Sequence, residues 1–470
     1  MKRLLLSLLL LTVFSGCTSV NFDQSLANTN QRAAAFTQGK LTLIKTADQR
    51  SQLDGLVTEM LRSPLNQTDA VQIALANSAA LQALLAQHWA DATQTAQNGR
   101  ISNPIFSLER IRFADELEWG RLLSFGLLEL LTLPQRYQLT QGQLVQEQLQ
   151  LTSQVIDQVT QIRQSWVKAV AAQQSLIYAR QINEAAQASA ELARRMQAVG
   201  NFNKLQRARQ QAFYAEAIAQ LAIAQHASVA AREELVRYLG LNDVQAKQMR
   251  LPDRLPDLPK TPLLPEEMGR LASKERLDIQ LAQAQYENAA KAQGLTALSS
   301  LTDIEMGLRR DTVLDQATHT SLPKRGYELS IRLPVFDGGG LRRDAMNAQT
   351  LAAANRLEAT LRAASSSLRE NYSAYRTSLD VAKHYRDEIV PLRKSISEEN
   401  LLRYNGMLIG VFELLADTRE QINSVMAAIA AEQQFWLSEA ALQASLIGKP
   451  TIAAVNSIRG SASSENGAGH

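Results

Sequence analysis

The chain carries nearly the same sequence pattern twice, at an interval of about 200 residues. An interval of this length makes each copy a whole structural unit rather than one turn of a short solenoid. Each copy reads as helix, strand, strand, very long helix and helix. Four strands and several long helices do not make a self-sufficient globule, but they can form a wall segment of a symmetric tube. The matching positions are Leu81–Gln87 with Leu277–Gln283, Leu133-Pro134 with Leu333-Pro334, and Gly200 with Gly406.

The N-terminus has the pattern of a secretion signal. Two basic residues precede an apolar run from Leu4 to Val13, which is too short to span a bilayer as a helix. Small residues then lead up to Cys17, the only cysteine, so a disulfide within one chain and a cysteine metal site are excluded. The segment resembles a bacterial lipoprotein signal. This implies that residues 1–16 are removed, that Cys17 is acylated, and that Thr18 directs the chain to the outer membrane. An ordinary cleaved signal with an incidental cysteine is the alternative.

Composition argues against two other classes of protein. The formal net charge is only +3 at pH 7, so the basic excess of a nucleic-acid-binding protein is missing. After the signal, no uninterrupted apolar stretch approaches the roughly 18 residues that suggest a transmembrane helix. If the chain crosses a membrane, it must therefore use strands that close into a barrel.

The first copy is expected to occupy residues 66–240, after an N-terminal tether and helix at 17–65. It begins with a helix to Asn98, and strands are predicted at 103–113 and 122–133. The second of these is an apolar run, and a buried helix is the alternative for a run of this length. Pro134 suits the first turn of the next helix, which would run from 135 to 199 and span roughly 100 Å at about 1.5 Å per residue. A further helix follows at 201–239.

A proline-rich segment at 241–265 is predicted to link the two copies, and the second copy is expected at 266–448. Its first helix is predicted at 266–293. Strands are predicted at 301–310 and 327–335, where apolar and polar residues alternate most clearly. Pro334, Gly338 and Gly339 mark the turn from sheet to helix. A long helix at 341–405 is expected to kink at Pro391, a last helix is predicted at 411–447, and 449–470 is predicted to be a flexible tail.

Motifs of catalysis are missing from the sequence. It holds no HExxH, P-loop or nucleophile-elbow pattern, so no enzymatic activity and no cofactor are expected. Gly338 to Gly340 follow a strand and precede a helix, but they fit a flexible joint better than a phosphate loop. His384 and Glu388 lie four residues apart on a helix, and we interpret them as a solvated face rather than a metal site.

The strands raise a problem of edges. Two hairpins leave strand edges open, and open edges cannot face lipid. Outer-membrane barrels need at least about eight strands, whereas one chain offers four. Several chains would therefore have to share one barrel.

Four sequence segments resemble parts of the TolC family of outer-membrane efflux proteins. Residues Gly326–Gly339 are similar to the signature of the family's fourth strand, and Leu131–Arg136 is similar to its counterpart in the first copy. Gly200–Leu205 and Tyr404–Leu415 are similar to the two helical turns at the inner end of the family's tube. The resemblance covers about residues 66–448 and identifies the chain as an outer-membrane factor lipoprotein.

The resemblance implies a mainly α-helical homotrimer with a membrane β-barrel. Four strands from each chain would close a twelve-stranded barrel, continuous with a long α-helical barrel in the periplasm. The tube would serve as a passive duct of a tripartite efflux or type I secretion system. It would dock onto a periplasmic adaptor that is bound to an inner-membrane pump of RND or ABC type. The adaptor-contacting residues would be Val199, Gly200, Asn201, Phe202, Gly406, Met407, Leu408 and Gly410.

The resemblance also implies a periplasmic constriction lined by acids just past the second turn. Glu413 fits that place. The position three residues on is Ala416, so a second acidic ring is either missing or carried by Asp417. Alternatively, both acids are ordinary side chains near a helix N-terminus.

A second class of protein, a periplasmic adaptor or scaffold lipoprotein with a helical hairpin, would not need two lipid-length alternating hairpins. The exported cargo stays open among drugs, lipids, heavy metals and peptides.

Overall fold

The computed structural model describes residues 21–264, 276–301, 303–315, 318, 320–333 and 335–449. The chain divides into two compact units, each built from separate segments. The first unit comprises Met1–Ala27, Ala86–Leu151 and Asp278–Arg362, and the second comprises Asn28–Leu85, Thr152–Leu277 and Ala363–His470. The order helix, strand, strand, long helix, helix occurs twice along the chain.

The described residues form eleven α-helices, one π-helical turn and four strands. The helices are α1 (Phe22–Thr37), α2 (Ala47–Met60), α3 (Gln67–Asn77), α4 (Ala79–Asn98), α5 (Leu127–Ala198), α6 (Lys204–Leu239), α7 (Asp243–Gln248), α8 (Leu277–Leu301), α9 (Gly340–His384), α10 (Val390–Asn405) and α11 (Val411–Ile447), and the π-helical turn is Tyr385–Ile389. Within this part of the chain, no single helix is both long and apolar enough to cross a membrane, although the bent pair α3 and α4 passes the same test of length and composition.

Several predicted helix boundaries were wrong. The predicted helix up to Asn98 is interrupted at Ser78, whose backbone is extended with ψ 114°. The helix predicted at 266–293 ends later than expected, because α8 continues to Leu301. The proline-rich segment contains a short helix, α7, which begins where the side chain of Asn242 accepts hydrogen bonds from two backbone N–H groups. Residues 265–275 and 450–470, and with them the start of the second copy and the tail, lie outside the described part.

The first unit contains one antiparallel sheet in the order β1-β2-β3-β4. The strands are β1 (Ile105–Phe113), β2 (Glu116–Gly126), β3 (Ile304–Asp315) and β4 (Thr320–Ile331). Register pairs such as Phe106↔Leu123 and Leu308↔Tyr327 fix which side chains share a face, since residues directly opposite point to the same side. The consecutive hairpins leave β1 and β4 at the two edges.

The two faces of this sheet differ in chemistry. One face, which we call the apolar face, carries the side chains Phe106, Leu108, Leu117, Trp119, Leu123, Phe125, Ile304, Met306, Leu308, Leu314, Tyr327, Leu329 and Ile331. The other, the polar face, is centred on Arg309, which pairs with Asp311 at 2.8 Å and with Glu109 at 3.3 Å. Many side chains of the apolar face are exposed, among them Tyr327 at 81%. The sheet therefore presents an apolar surface that nothing in the described chain covers.

The strand predictions need correction. Residues 122–126 belong to β2, but 127–133 are helical, and β2 begins at Glu116, six residues before the predicted start. The prediction of 301–310 ended five residues too early, because β3 runs to Asp315. The prediction of 327–335 began seven residues late, and its last residues follow the end of β4 at Ile331. The prediction of 103–113 matches β1 except for its first two residues.

The second unit has a core along the middle of the long helices. Trp166 on α5 is 2% exposed, and its indole N–H donates to the backbone carbonyl of Leu65 at 2.8 Å. Of six apolar residues that recur every three, four or seven positions along one side of α5, five are buried, whereas Ile177 is exposed. The buried five are Val155, Val159, Ile162, Trp166 and Val170. A second cluster packs Tyr375 and Leu379 of α9 against Phe435 of α11.

The predicted kink at Pro391 takes the form of a π-helical turn. The backbone N–H of Val390 donates to the carbonyl of Tyr385, five residues back, and Pro391 lies in the first turn of α10. Proline lacks an N–H and crowds the carbonyl four residues before it. The wider turn just before Pro391 accommodates the ring without ending the helical run.

Candidate functional site

The first candidate surface is the turn between α5 and α6 in the second unit. Gly200 adopts φ +80°, a left-handed conformation that glycine reaches without a steric penalty. The N–H of Asn201 donates to the carbonyl of Met196 at 2.9 Å, and that of Gly200 to Gln197 at 3.0 Å, which is the Schellman pattern of helix ends. Asn203 then caps α6 in a reciprocal capping box with Gln206.

The second turn, between α10 and α11, repeats this geometry with a different residue at its centre. The N–H of Leu408 donates to the carbonyl of Arg403 at 2.8 Å, and that of Met407 to Tyr404 at 2.9 Å. The left-handed position is occupied by Met407 with φ +60°, not by Gly406. A left-handed conformation costs a non-glycine residue about 1–2 kcal/mol. The structural equivalent of Gly200 is therefore Met407, one residue beyond the position that the sequence match indicated.

Both turns expose apolar side chains. Met407 is 93% exposed, Leu408 74% and Val199 71%. Exposure of large apolar side chains to water is unfavourable. A cluster of exposed apolar side chains is therefore typical of a protein interaction site. The predicted residues Asn201 and Gly410 lie in the same two turns, and Gly410 precedes α11 as its N-cap.

An aromatic contact joins the two turns. The ring centroids of Phe202, in the first turn, and Phe412, in the first turn of α11, lie 4.4 Å apart. Such pairs contribute about 0.5–1.5 kcal/mol beyond the area that they bury. Phe202 was among the predicted tip residues. Phe412 was not, because nothing in its local pattern distinguishes a ring that pairs with the other repeat.

The predicted constriction acids lie on the first two turns of α11. Glu413 is exposed, and Asp417 is half-buried with one carboxylate oxygen, Oδ2, that is buried without a hydrogen-bond partner among the described residues. Their spacing of four residues places both on one side of the helix. An acid without a partner at a buried position costs free energy unless something else neutralises it.

Charged contacts fix α11 beside α6 and α10. The guanidinium of Arg419 lies over the ring of Phe213 at 4.3 Å and approaches Glu216 at 3.9 Å. Glu420, the next residue, approaches Arg393 of α10 at 3.9 Å. These contacts hold the helix that carries Glu413 and Asp417 without using either acid.

The end of α5 has its own charge cluster near the first turn. Glu191 accepts hydrogen bonds from Arg194 and Arg195 at 2.8–2.9 Å. These hydrogen bonds hold the pKa of the Glu191 carboxyl at about 2, far below its usual range. The cluster is therefore charged at every physiological pH.

Of the residues predicted to mark the sheet-to-helix turns, the glycines near residue 339 lie in such a turn, whereas Pro134 does not. Pro134 is the eighth residue of α5 and so lies beyond its first turn. Gly339 adopts φ +71°, and its N–H donates to the side chain of Asp337 at 2.9 Å, so it does form the turn before α9. Gly338 accepts a hydrogen bond from Arg343 at its carbonyl. Pro334 and the predicted lipidation site Cys17 lie outside the described residues.

The described residues contain no group of three or more His, Cys, Asp or Glu side chains that could hold a metal ion. His384 Nδ1 lies 3.1 Å from Glu388 across the π-helical turn, and both side chains are exposed. A single exposed pair of this kind is a surface contact rather than a metal site.

The fold is shared with solved outer-membrane channels. No protein-family model matches the sequence, and no curated protein sequence matches it. Three similar structures are a membrane protein from Pseudomonas aeruginosa (TM-score 0.65, 18% identity, 85% of this chain and 94% of that one), the Campylobacter jejuni CmeC outer membrane channel (0.66, 13%, 84% and 86%) and the open state of the Neisseria gonorrhoeae MtrE outer membrane channel (0.62, 15%, 84% and 89%). The chain therefore has the fold of these outer-membrane channels, and the expected TolC-type fold is confirmed.

Proposed function

We propose that the chain is the outer-membrane channel of a tripartite efflux or type I secretion system. The observation that carries the proposal is the sheet of the first unit, with its exposed apolar face, its charged opposite face and its two edge strands. An apolar face suits lipid and a charged face suits water, which is how a barrel strand alternates between its two sides. The fold shared with outer-membrane channels supports the same function.

The edge strands β1 and β4 support a homotrimer. In lipid, every backbone N–H and C=O group needs a partner, so the outer edges of both strands must pair with another chain. Three chains that each supply four antiparallel strands would close a twelve-stranded barrel, above the minimum of about eight. The helices would then continue as an α-helical tube on the periplasmic side.

The two helical turns are proposed to dock onto a periplasmic adaptor bound to an inner-membrane pump. Exposed Val199, Met407 and Leu408 offer the apolar contacts that such a docking surface needs. The pump would supply the energy, so the channel itself is proposed to be a passive duct without enzymatic activity.

Glu413 and Asp417 are proposed to line the periplasmic constriction. With one copy from each of three chains, they would form two acidic rings one helical turn apart. The unpartnered oxygen of Asp417 supports this role, because an adjacent chain could supply a donor that a single chain lacks.

Cys17 is proposed to be acylated and to anchor the mature chain to the outer membrane of a Gram-negative bacterium. Substitution Cys17→Ser should abolish incorporation of radiolabelled palmitate, because the thiol is the acceptor. Labelling that persists in the variant would contradict the lipoprotein assignment.

The experiment that tests the channel is conductance in planar bilayers, combined with negative-stain imaging of the same detergent-extracted particle. Discrete, ohmic conductance steps together with a three-fold tube support the proposal. A small particle without conductance would refute it and favour an adaptor or scaffold lipoprotein.

A further inference from the structure

The end of the apolar face nearest the hairpin turns carries five arginines and no acidic residue. The arginines of this face are Arg110, Arg112, Arg121, Arg310 and Arg325. The acidic residues of the four strands all lie on the polar face and are Glu109, Glu116, Glu118, Glu305, Asp311, Asp315 and Glu328. Charge is therefore divided between the faces by sign, which alternation of apolar and polar residues alone does not require.

Three of these arginines form a row across the sheet, which we call the arginine row. Arg310 lies directly opposite Arg325, and Arg121 lies opposite Leu108. The pairs Trp119↔Thr312 and Leu122↔Arg309 on either side bring Arg121 into line with Arg310. Like charges directly opposite each other are destabilising unless an anion lies between them.

The arginine row lacks the partners that its neighbours have. Arg309 and Lys324 precede Arg310 and Arg325 by one residue and point to the other face. There they pair with Asp311 at 2.8 Å and Glu118 at 3.6 Å. Arg121, Arg310 and Arg325 are exposed and form no ion pair within the described residues.

The level of the row along the strands is marked by aromatic side chains. Tyr327 lies two residues from Arg325 toward the apolar end, and Trp119 lies two residues from Arg121 toward the hairpin turn. Tyrosine and tryptophan concentrate where hydrocarbon gives way to lipid headgroups. Beyond Arg325 toward the helices, Tyr327, Leu329 and Ile331 follow on the same face of β4, which ends at Ile331. Most apolar side chains of this face therefore lie on the helix side of the arginine row, and the row lies toward the hairpin end.

We infer that the arginine row binds the phosphate groups of phosphorylated lipid headgroups, in the leaflet at the hairpin end of the sheet. This inference rests on the proposed function, because it needs the apolar face in contact with lipid. Guanidinium groups pair with phosphate through two parallel hydrogen bonds, and three of them in a row can hold a headgroup with more than one phosphate. Bound phosphate also removes the repulsion between Arg310 and Arg325.

The sheet offers a matched pair of variants for the test. Arg310→Gln with Arg325→Gln removes two charges from the apolar face, and Arg309→Gln with Lys324→Gln removes two charges from adjacent positions on the polar face. Detergent-purified full-length protein is titrated with bis-phosphorylated lipid A and, separately, with the same lipid after removal of both phosphates. Bound lipid is counted by native mass spectrometry. Gel mobility before and after heating reports whether each variant assembles.

The wild-type protein should prefer the phosphorylated lipid. The apolar-face double variant should lose about 30-fold in affinity for it, from about fivefold for each cation at a lipid surface. The polar-face variant should keep its affinity, and Arg310→Lys with Arg325→Lys should keep most of it. Equal binding of both lipids by the wild type, equal losses in both Gln variants, or full displacement of the lipid by inorganic phosphate would overturn the inference. If the Gln variant does not assemble, the wild-type comparison of the two lipids decides.

Conductance in phosphatidylcholine bilayers separates this inference from the proposed function. Conductance without lipid preference leaves the channel standing and refutes the lipid site. Lipid preference without conductance supports the site and refutes the channel.

Discussion

Ile331 and Ser330 are neighbours on β4 whose side chains point to opposite faces of the sheet. Ile331 lies opposite Ile304 on the apolar face, and Ser330 lies opposite Glu305 on the polar face. An arginine at each position in turn places the same positive charge on one face of the sheet and then on the other. The comparison tests which face of the sheet meets lipid.

The expected magnitudes differ in sign as well as in size. Ile331 lies four residues from Tyr327 on the same face, which is roughly 13 Å along the strand and about 10 Å across the membrane at a tilt of about 40°, so with Tyr327 at the headgroup level it should lie near the middle of the ~25 Å apolar band. An arginine there costs about 2–4 kcal/mol per chain, which weakens folding by roughly 100-fold at the middle of that range. Ser330→Arg instead places a cation opposite Glu305, where a cross-strand charge pair contributes about 0.2–1 kcal/mol.

The free energy of unfolding of each variant is measured by urea titration after refolding into phosphatidylcholine vesicles, with heat-dependent gel mobility as the check on assembly. Ile331→Arg should lower it by about 2–4 kcal/mol, and Ser330→Arg should leave it unchanged or slightly higher. The reasoning would be falsified if Ser330→Arg proved the more damaging substitution, because the faces would then be reversed. Equal losses from both would show that neither face contacts hydrocarbon.

Two further predictions concern the helical parts of the chain. Burial raises the pKa of the Glu147 carboxyl, which accepts a hydrogen bond from Thr95. Its charged form therefore costs stability above the raised pKa, and this cost disappears as the pH falls toward the unfolded-state value. Glu147→Gln should thus raise the melting temperature at pH 7 with a gain that vanishes near pH 4, and a gain that grows on acidification would contradict the argument. Gly240→Ala should destabilise by about 1–3 kcal/mol, because φ is +68° and the added Cβ would lie 2.8 Å from the carbonyl oxygen of Asn77. Gly55→Ala, in the open interior of α2, should stabilise by about 0.5–1 kcal/mol. Thermal unfolding monitored by circular dichroism measures both, and equal effects would refute the backbone argument.

Alternation located the apolar halves of β3 and β4 but not their ends. Residues Ile304–Leu308 and Tyr327–Ile331 alternate as a half-buried strand should. Beyond them, Arg310 and Arg325 occupy apolar-face positions, so the pattern is lost although the backbone pairing continues. Pro323 adds to the appearance of a loop, but it is tolerated because β4 is an edge strand. Alternation of apolar and polar residues reflects what surrounds each face of a strand. The length of the strand is set by backbone hydrogen bonds, which do not depend on that alternation.

The apolar run before Pro134 was the clearest failure. Residues 127–133 are apolar on nearly every side, and such a run does not distinguish a strand from a buried helix. The sheet settles the matter, because the ladder between β2 and β3 ends at Gly126↔Glu305 and leaves no partner for a longer strand. The helix starts there, and Thr132 bonds back to the carbonyl of Leu128 at 2.9 Å. A partner strand about 180 residues away along the chain cannot be recognised from the local sequence around residues 127–133.

The candidate docking turns were better predicted, because a glycine after a long helix is a local signal. Gly200 behaves as that signal indicates. In the second turn the same signal pointed to Gly406, while the left-handed residue is Met407. Helix ends are set by which carbonyls find donors, and the sequence alone leaves an uncertainty of one residue there.

The π-helical turn at Tyr385–Ile389 has a consequence for the phase of the helix that contains it. A turn with one extra residue rotates everything after it by about 100° relative to an unbroken α-helix. Before the turn, Tyr375 and Leu379 pack against Phe435 of α11. After the turn, Arg393 pairs with Glu420 of the same helix. Removing one residue from the turn would restore even winding and swing Arg393 away from Glu420. The widened turn thus offsets the rotation of the helix, so that side chains before and after Pro391 face the same neighbouring helix, α11.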